Sequence, residues 1–283
     1  MKQIQTIKEM MEYADTQRQN KRTIAFVPTM GFLHKGHLAL MEEAGKHADD
    51  LVVSIFVNPA QFGPNEDLAT YPRALEKDLD LCRDMGASVV FTPEASEIYP
   101  EGFQTYVELE KLPLHLCGLS RPVFFKGIAT VVTKLFNIVK PHVAIFGQKD
   151  FQQLTLIRQM VKDLSFDIDI VGVPIVREDD GLAMSSRNKY LTKAQRPHAL
   201  LLHRALLTSQ EMISSGVSDA GEIVAKAREI LASCPDIKID YVSICDLLTL
   251  DEVDSINEPV LMAIAVMLGK TRLIDNKVME FGA

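Results

Sequence analysis

The sequence predicts an α/β fold: a parallel sheet with helices on both faces, followed by a smaller α+β domain. Three observations carry this expectation. Short apolar runs recur through about the first 170 residues, separated by stretches with apolar groups at helical spacing. Those runs are apolar at consecutive rather than alternate positions, as in strands buried on both faces. After Pro174 the texture changes to long helical stretches and a few strand-like runs, too little chain for a second doubly wound sheet.

The first predicted strand is Thr23 to Pro28 (TIAFVP), followed by a Gly-punctuated turn and, from Gly36, a helix reading GHLALMEEAGKHA. Asp49 and Asp50 lead into a second strand, Leu51 to Val57. The alternation continues with a polar helix from Arg73 to Met85, a strand over 88–92, a helix near Thr130 to Val139 and a strand over 143–146. A helix from Phe151 to Leu164 and a strand over 168–173 complete it. Right-handed crossovers then make the first part Rossmann-like. Beyond the loop REDDGLAMSSRNKYLT, helices are expected over 193–215 and 219–232, and strands over 238–245 and 260–268. The chain is accordingly divided into residues 1–176 and 177–283, the second part placed to close over a site on the first.

Composition narrows the function. Apolar residues make up 47% and charged residues 24% of 283, an ordinary globular balance. A net charge of -8 argues against sequence-independent nucleic-acid binding, so any anionic ligand must meet a local positive cluster. No signal-peptide pattern and no run of about 20 apolar residues is present, which points to the cytoplasm and away from a membrane. Cys82, Cys117, Cys234 and Cys245 form no CxxC pair and read as reduced structural thiols.

The chemistry gathers where open parallel sheets bind ligands, beyond the carboxyl ends of strands. The first strand runs into Met30-Gly31-Phe32-Leu33-His34-Lys35-Gly36-His37. His34 and His37 share one side of the incoming helix turn, whose free N–H groups and dipole suit phosphate. The second strand ends in Asn58-Pro59-Ala60-Gln61, whose amides can grip a small polar substrate without adding charge. A later strand ends in Gly147-Gln148-Lys149-Asp150, with Gln153 just inside the next helix. Lys149 there adds a point charge. The domain junction supplies Met184, Ser185, Ser186 and Arg187, two hydroxyls and a guanidinium suited to phosphoryl oxygens.

In this order, PTMGxLHxGH, FVNPxQF, GxKDxQQL and DGLAxSSRN resemble the motifs of pantothenate synthetases, from about Thr23 to Leu191 and more weakly to Asn276. The resemblance implies the fold of the HxGH nucleotidyltransferases. It implies a cytoplasmic homodimer that joins pantoate to beta-alanine through an acyl-adenylate while splitting ATP to AMP and pyrophosphate, with Mg2+ and no protein metal cage. Carried over, it assigns Met30, His34, His37, Gly147, Lys149, Asp150, Val176, Met184, Ser185, Ser186 and Arg187 to ATP. His34, His37, Lys149 and Arg187 then act on the departing pyrophosphate, and Gln61, Gln153 and Asn58 on the substrate side. The chain departs from the family pattern at Cys117, Phe124 and Gln148, onto which no role is carried. Two other readings use the same histidine turn: a nucleotidyltransferase moving AMP onto a phosphate acceptor, and a nucleotide-binding regulator without catalysis.

Overall fold

Ile24, Phe26, Val27 and Thr29, β-branched or aromatic, make the run Ile24–Thr29 a strand that is buried on both faces, and the rest of the first unit is arranged around it. The computed structural model describes residues 1–64 and 66–281; Asn65, in the loop after the second predicted strand, lies outside the described residues. By backbone contacts the chain forms two compact units, Met1–Glu110 with Arg121–Pro174, and Lys111–Ser120 with Ile175–Ala283. The excursion of 111–120 into the second unit has no counterpart in a division at residue 176.

The first unit contains β1 (Lys2–Ile4), α1 (Ile7–Gln19), β2 (Ile24–Thr29), α2 (Lys35–Ala44), β3 (Asp50–Ile55), α3 (Leu75–Asp84), β4 (Val89–Phe91) and α4 (Ala95–Ile98). The short α5 (Cys117–Ser120) belongs to the second unit, and the first resumes with α6 (Phe124–Val139), β5 (Val143–Gly147), α7 (Phe151–Asp163) and β6 (Asp169–Val173). All six strands pair parallel in the order β1-β4-β3-β2-β5-β6. The chain therefore winds outward from β2 through β3 and β4, then returns to place β5 on the other side of β2. That reversal opens a crevice beyond the carboxyl ends of β2 and β5.

One sheet face is closed by Leu40, Met41 and Ala44 of α2 and Leu79 and Cys82 of α3, packed with Val27, Val53 and Ile145. On the other, the Phe136 ring meets Phe26, Phe146 and Phe166 edge-on at 6.5, 6.4 and 5.7 Å.

The second unit continues with α8 (Arg196–Ala199), α9 (Leu201–Ser214), α10 (Ala220–Ala232), β7 (Ile237–Cys245), β8 (Val260–Leu268) and β9 (Thr271–Met279), the strands forming an antiparallel sheet in chain order. Its core joins Leu202, Leu206, Ile223 and Leu231 of the helices to Val242, Ile264 and Val266 of the sheet.

Several elements differ from the sequence expectation. β1 is three residues long with only Ile4 buried, too brief for a periodic signal. α1 buries only Met10 and Ala14, so its polar surface hides it; Thr6 caps it by accepting the Glu9 N–H. β9 carries buried Asp275 and Asn276 in mid-strand, which interrupts the apolar pattern. The helix expected near Thr130 begins at Phe124, and the helical stretch expected from Lys193 begins at Arg196, behind reciprocal bonds between Thr192 and Gln195.

The longer α6 has a positional reason for Gly127. A Cβ there would fall 2.2 Å from the Ala60 carbonyl oxygen and 2.6 Å from the Gln61 nitrogen, so only glycine lets the 59–61 turn lie on this helix. Replacement Gly127→Ala is expected to cost about 1–3 kcal/mol of stability by overpacking, read as a lower urea midpoint. A midpoint within error of the parent would show that the turn yields freely.

Candidate active site

The turn after β2 is held in an unusual backbone path. Gly31 and Phe32 both lie in the left-handed region, at φ of 79° and 51°. This path turns the N–H groups of Phe32 and Leu33 onto the two carboxylate oxygens of Asp78, at 2.7 and 2.8 Å. Asp78 projects from α3, is buried, and lies so close that a Cβ on Gly31 would sit 3.0 Å from it. Burial raises the Asp78 pKa, opposed by the two N–H donors. Thr29 completes the turn, accepting the Gly31 N–H at 3.2 Å and donating to the Ser54 carbonyl at 2.8 Å.

Beyond this turn His34 is the N-cap of α2 and His37 its third residue. Their rings stack with centroids 4.1 Å apart, and the His34 N–H donates to His37 Nδ1 at 3.2 Å. With Nδ1 accepting, neutral His37 carries its proton on Nε2. Burial, with the charges of His34 and Lys149, holds the His37 pKa down at about 3. Lys149 therefore stands close enough to act electrostatically on His37, so the ends of β2 and β5 contribute to one cluster beside a helix N-terminus.

On the β3 side Asn58 is buried and fully used by the protein. Its Nδ2 donates to Gln61 Oε1 at 3.0 Å and to the Gly127 carbonyl at 3.1 Å, while Oδ1 accepts from the Ala60 N–H and the Tyr99 hydroxyl at 3.2 and 2.8 Å. Gln61 is thereby oriented with Nε2 toward Met30 Sδ at 3.2 Å. Arg121 supports the same turn, bonding the Gln61 carbonyl at 3.3 Å and Glu66 through both carboxylate oxygens, with its guanidinium 3.6 Å from the Phe124 ring centroid.

The β5 end reaches α7 through a helical turn over Gln148–Asp150. A Cβ on Gly147 would meet only Leu40 Cδ2 at 4.0 Å, so no protein neighbour requires glycine there. Gln153 is partly buried, and its side-chain amide bonds to no other described residue. Gln148 is partly exposed.

The sequence-singled residues of the second unit sit in an anchored hairpin. The Met184 N–H donates to the Val176 carbonyl at 2.9 Å, and Glu178 N–H to Leu182 at 2.8 Å. Arg177 ties the hairpin to β9 through both Asp275 oxygens, at 2.7 and 3.0 Å, while Arg196 grips Glu178 and Asp180. Ser185 caps the following turn by accepting the Arg187 N–H at 3.2 Å, and Ser186 is buried in that turn. Cys117 is buried within this unit, whereas Phe124 belongs to the first.

Asp78, Tyr99, Arg121 and Gly127 escaped sequence reasoning. Asp78 left a trace: an acid beside Leu79 and one turn before Cys82, on the buried face of its helix.

A doubly wound parallel sheet carrying a His-x-Gly-His turn at its switch point defines the nucleotidyltransferase-like class. The family profile described as Pantoate-beta-alanine ligase matches residues 2–278. The chain belongs to the pantoate-beta-alanine ligase family and is a ligase of pantoate and beta-alanine. It is 58% identical over 271 residues to the pantothenate synthetase of Desulfatibacillum aliphaticivorans, covering 96% of each chain. The crystal structure of pantothenate synthetase from Thermus thermophilus superposes with a TM-score of 0.95 at 43% identity, covering 99% of this chain and 100% of that one. That of pantoate-beta-alanine ligase from Francisella tularensis, complexed with beta-gamma ATP and beta-alanine, gives 0.81 at 34% identity, with 100% and 99% covered.

Two outcomes are expected from this geometry. Asp78→Asn leaves one backbone N–H facing an amide N–H, costing about 1.5–3 kcal/mol of stability and disordering the histidine turn, measurable by denaturation and by turnover. His37 is expected to remain neutral from pH 5 to 8 in the ligand-free protein, seen as flat imidazole shifts by NMR. Because its folded pKa lies below the unfolded value, the unfolded chain takes up the proton first, and stability falls as pH drops from about 6.5 toward 3. Titration of His37 near 6.5 would contradict the buried geometry.

Proposed function

We propose that this chain makes pantothenate in two steps on one site: pantoate and ATP give pantoyl-adenylate and pyrophosphate, and the beta-alanine amine then displaces AMP. The observation that carries this reading is the His34–His37 pair at the N-terminus of α2, under the charge of Lys149 from the turn after β5, together with Gln61 held by Asn58 and turned toward Met30. A phosphate chain fits the first group and a small hydroxy acid the second.

In the first step a pantoate carboxylate oxygen attacks the α-phosphorus in line with the departing pyrophosphate oxygen. Charge grows on that leaving oxygen, and the Nε2–H of His37, the His34 ring and Lys149 are its donors. Met30, Gly147 and Asp150 hold the nucleotide, the bare Gly147 leaving room for it. Gln61 and Gln153 bind pantoate, and Asn58, committed to protein partners, positions Gln61. In the second step the amine attacks the acyl carbonyl, the carbon–oxygen bond to AMP breaks, and the amine loses a proton to solvent.

The second unit supplies Val176 to the adenine side and Met184, Ser185, Ser186 and Arg187 to the phosphates, acting as a lid that keeps water from the mixed anhydride. The donors at the histidine turn are nitrogens and amides, and both Asp78 oxygens accept backbone N–H groups, so magnesium fits as a companion of the nucleotide phosphates. It would offset their charge. The reading includes a cytoplasmic homodimer; four buried thiols outside any disulfide support the compartment, and no helix among the described residues is long and apolar enough to cross a membrane.

Pyrophosphate release is expected only when pantoate accompanies ATP, with pantothenate appearing once beta-alanine is added. Release that ignores pantoate would overturn the adenylation step. His34→Ala or Lys149→Ala is expected to raise the barrier by about 3–4 kcal/mol, a loss of about 10²–10³ in rate measured on pyrophosphate release.

A further inference from the structure

The second unit contains a cluster that the ligase reaction does not use. One ring nitrogen of His198, the thiol sulfur of Cys234 and a carboxylate oxygen of Asp236 all lie within 4.8 Å of one another. Cys234 is buried, His198 is partly buried, and Asp236 reaches the surface. His198 Nδ1 is itself buried with no hydrogen-bond partner, an unusual cost for an imidazole unless something else engages the ring.

Local structure presents two of the donors together. The Ile237 N–H donates to the Cys234 carbonyl at 3.1 Å, closing a turn with Pro235 inside it, so Cys234 and Asp236 are carried on one short, stiff loop. That loop follows directly on the C-terminal end of α10, where unpaired carbonyls favour positive charge. His198 comes from α8, so an ion here would tie that short helix to the corner before β7.

We propose that His198, Cys234 and Asp236 form a divalent metal site of zinc type, with water as the fourth ligand. The chemistry of the donors selects the ion: a thiolate, an imidazole and a carboxylate match tetrahedral Zn2+ or Co2+, and a hard cation such as Mg2+ would reject the sulfur. Binding exchanges the Cys234 thiol proton for the metal–sulfur bond, so one proton leaves as the ion enters. The surface position of Asp236 lets its carboxylate adjust to the ion. The site's role is that of a clip within the second unit, separate from catalysis.

The test uses the full chain stripped of metal and titrated with Co2+, then Zn2+. A thiolate-to-cobalt charge-transfer band saturating at one Co2+ per chain and displaced by Zn2+ is expected. The band should vanish in Cys234→Ser, and His198→Gln should weaken Zn2+ binding by at least about tenfold. Pyrophosphate release should be unchanged in both variants. Should Cys234→Ser fail to fold, His198→Gln and Asp236→Asn carry the test. Absence of the band, its survival in Cys234→Ser, or unaltered affinity in His198→Gln would overturn the proposal.

Discussion

The buried carboxylate of Asp78, accepting two successive backbone N–H groups, is the constraint on which the active end of the first unit depends. Two adjacent residues in the left-handed region are costly for an L-amino-acid chain, Phe32 more than Gly31. Asp78 offsets that cost with two charge-assisted bonds in a water-poor setting, and the path it enforces delivers His34 to the start of α2. The histidine pair is thus set by a residue on a different helix. Its protonation follows from the same placement: burial, with the charges of His34 and Lys149, keeps His37 neutral.

The two ends of the site are built by different means. The end proposed for phosphate relies on fixed backbone and a local concentration of nitrogen donors in a protein whose net charge is -8. The end proposed for the acid relies on neutral amides, with Asn58 committing all four of its hydrogen-bonding positions to protein partners, Gln61 among them. Arg121 buttresses that arrangement from behind, its charge matched by Glu66 and its flat face on Phe124. The aromatic ring at Phe124, a departure from the family pattern, gives this arginine a surface to lie on.

Most of the sheet was legible because its strands are continuous apolar runs between turn formers. The histidine turn, the amide loop and the lysine turn were legible because each follows such a run directly. What stayed hidden shares a physical cause: its signal lies in tertiary partners. Asp275 looks misplaced in β9 until Arg177 is seen across from it, Gly127 looks like an ordinary weak helix residue until the Ala60 carbonyl is placed against it, and Asp78 reads as a solvated acid until the left-handed turn is built. α1 and β1 were missed for the opposite reason, burying too little to leave a pattern.

The path of the chain between the two units also sets a timetable for its synthesis. Residues 111–120 belong with a sheet that begins at Ile237, and Ser120 bonds Asp240, 120 residues further on. At about 5–20 residues per second, a ribosome takes on the order of ten seconds to produce that partner. During the interval β5 and β6 of the first unit are made, while Leu112, Leu116 and Cys117, all buried in the finished protein, await the sheet of their own unit. The nascent chain therefore carries a sticky internal bight that closes only when nearly all of the protein has emerged.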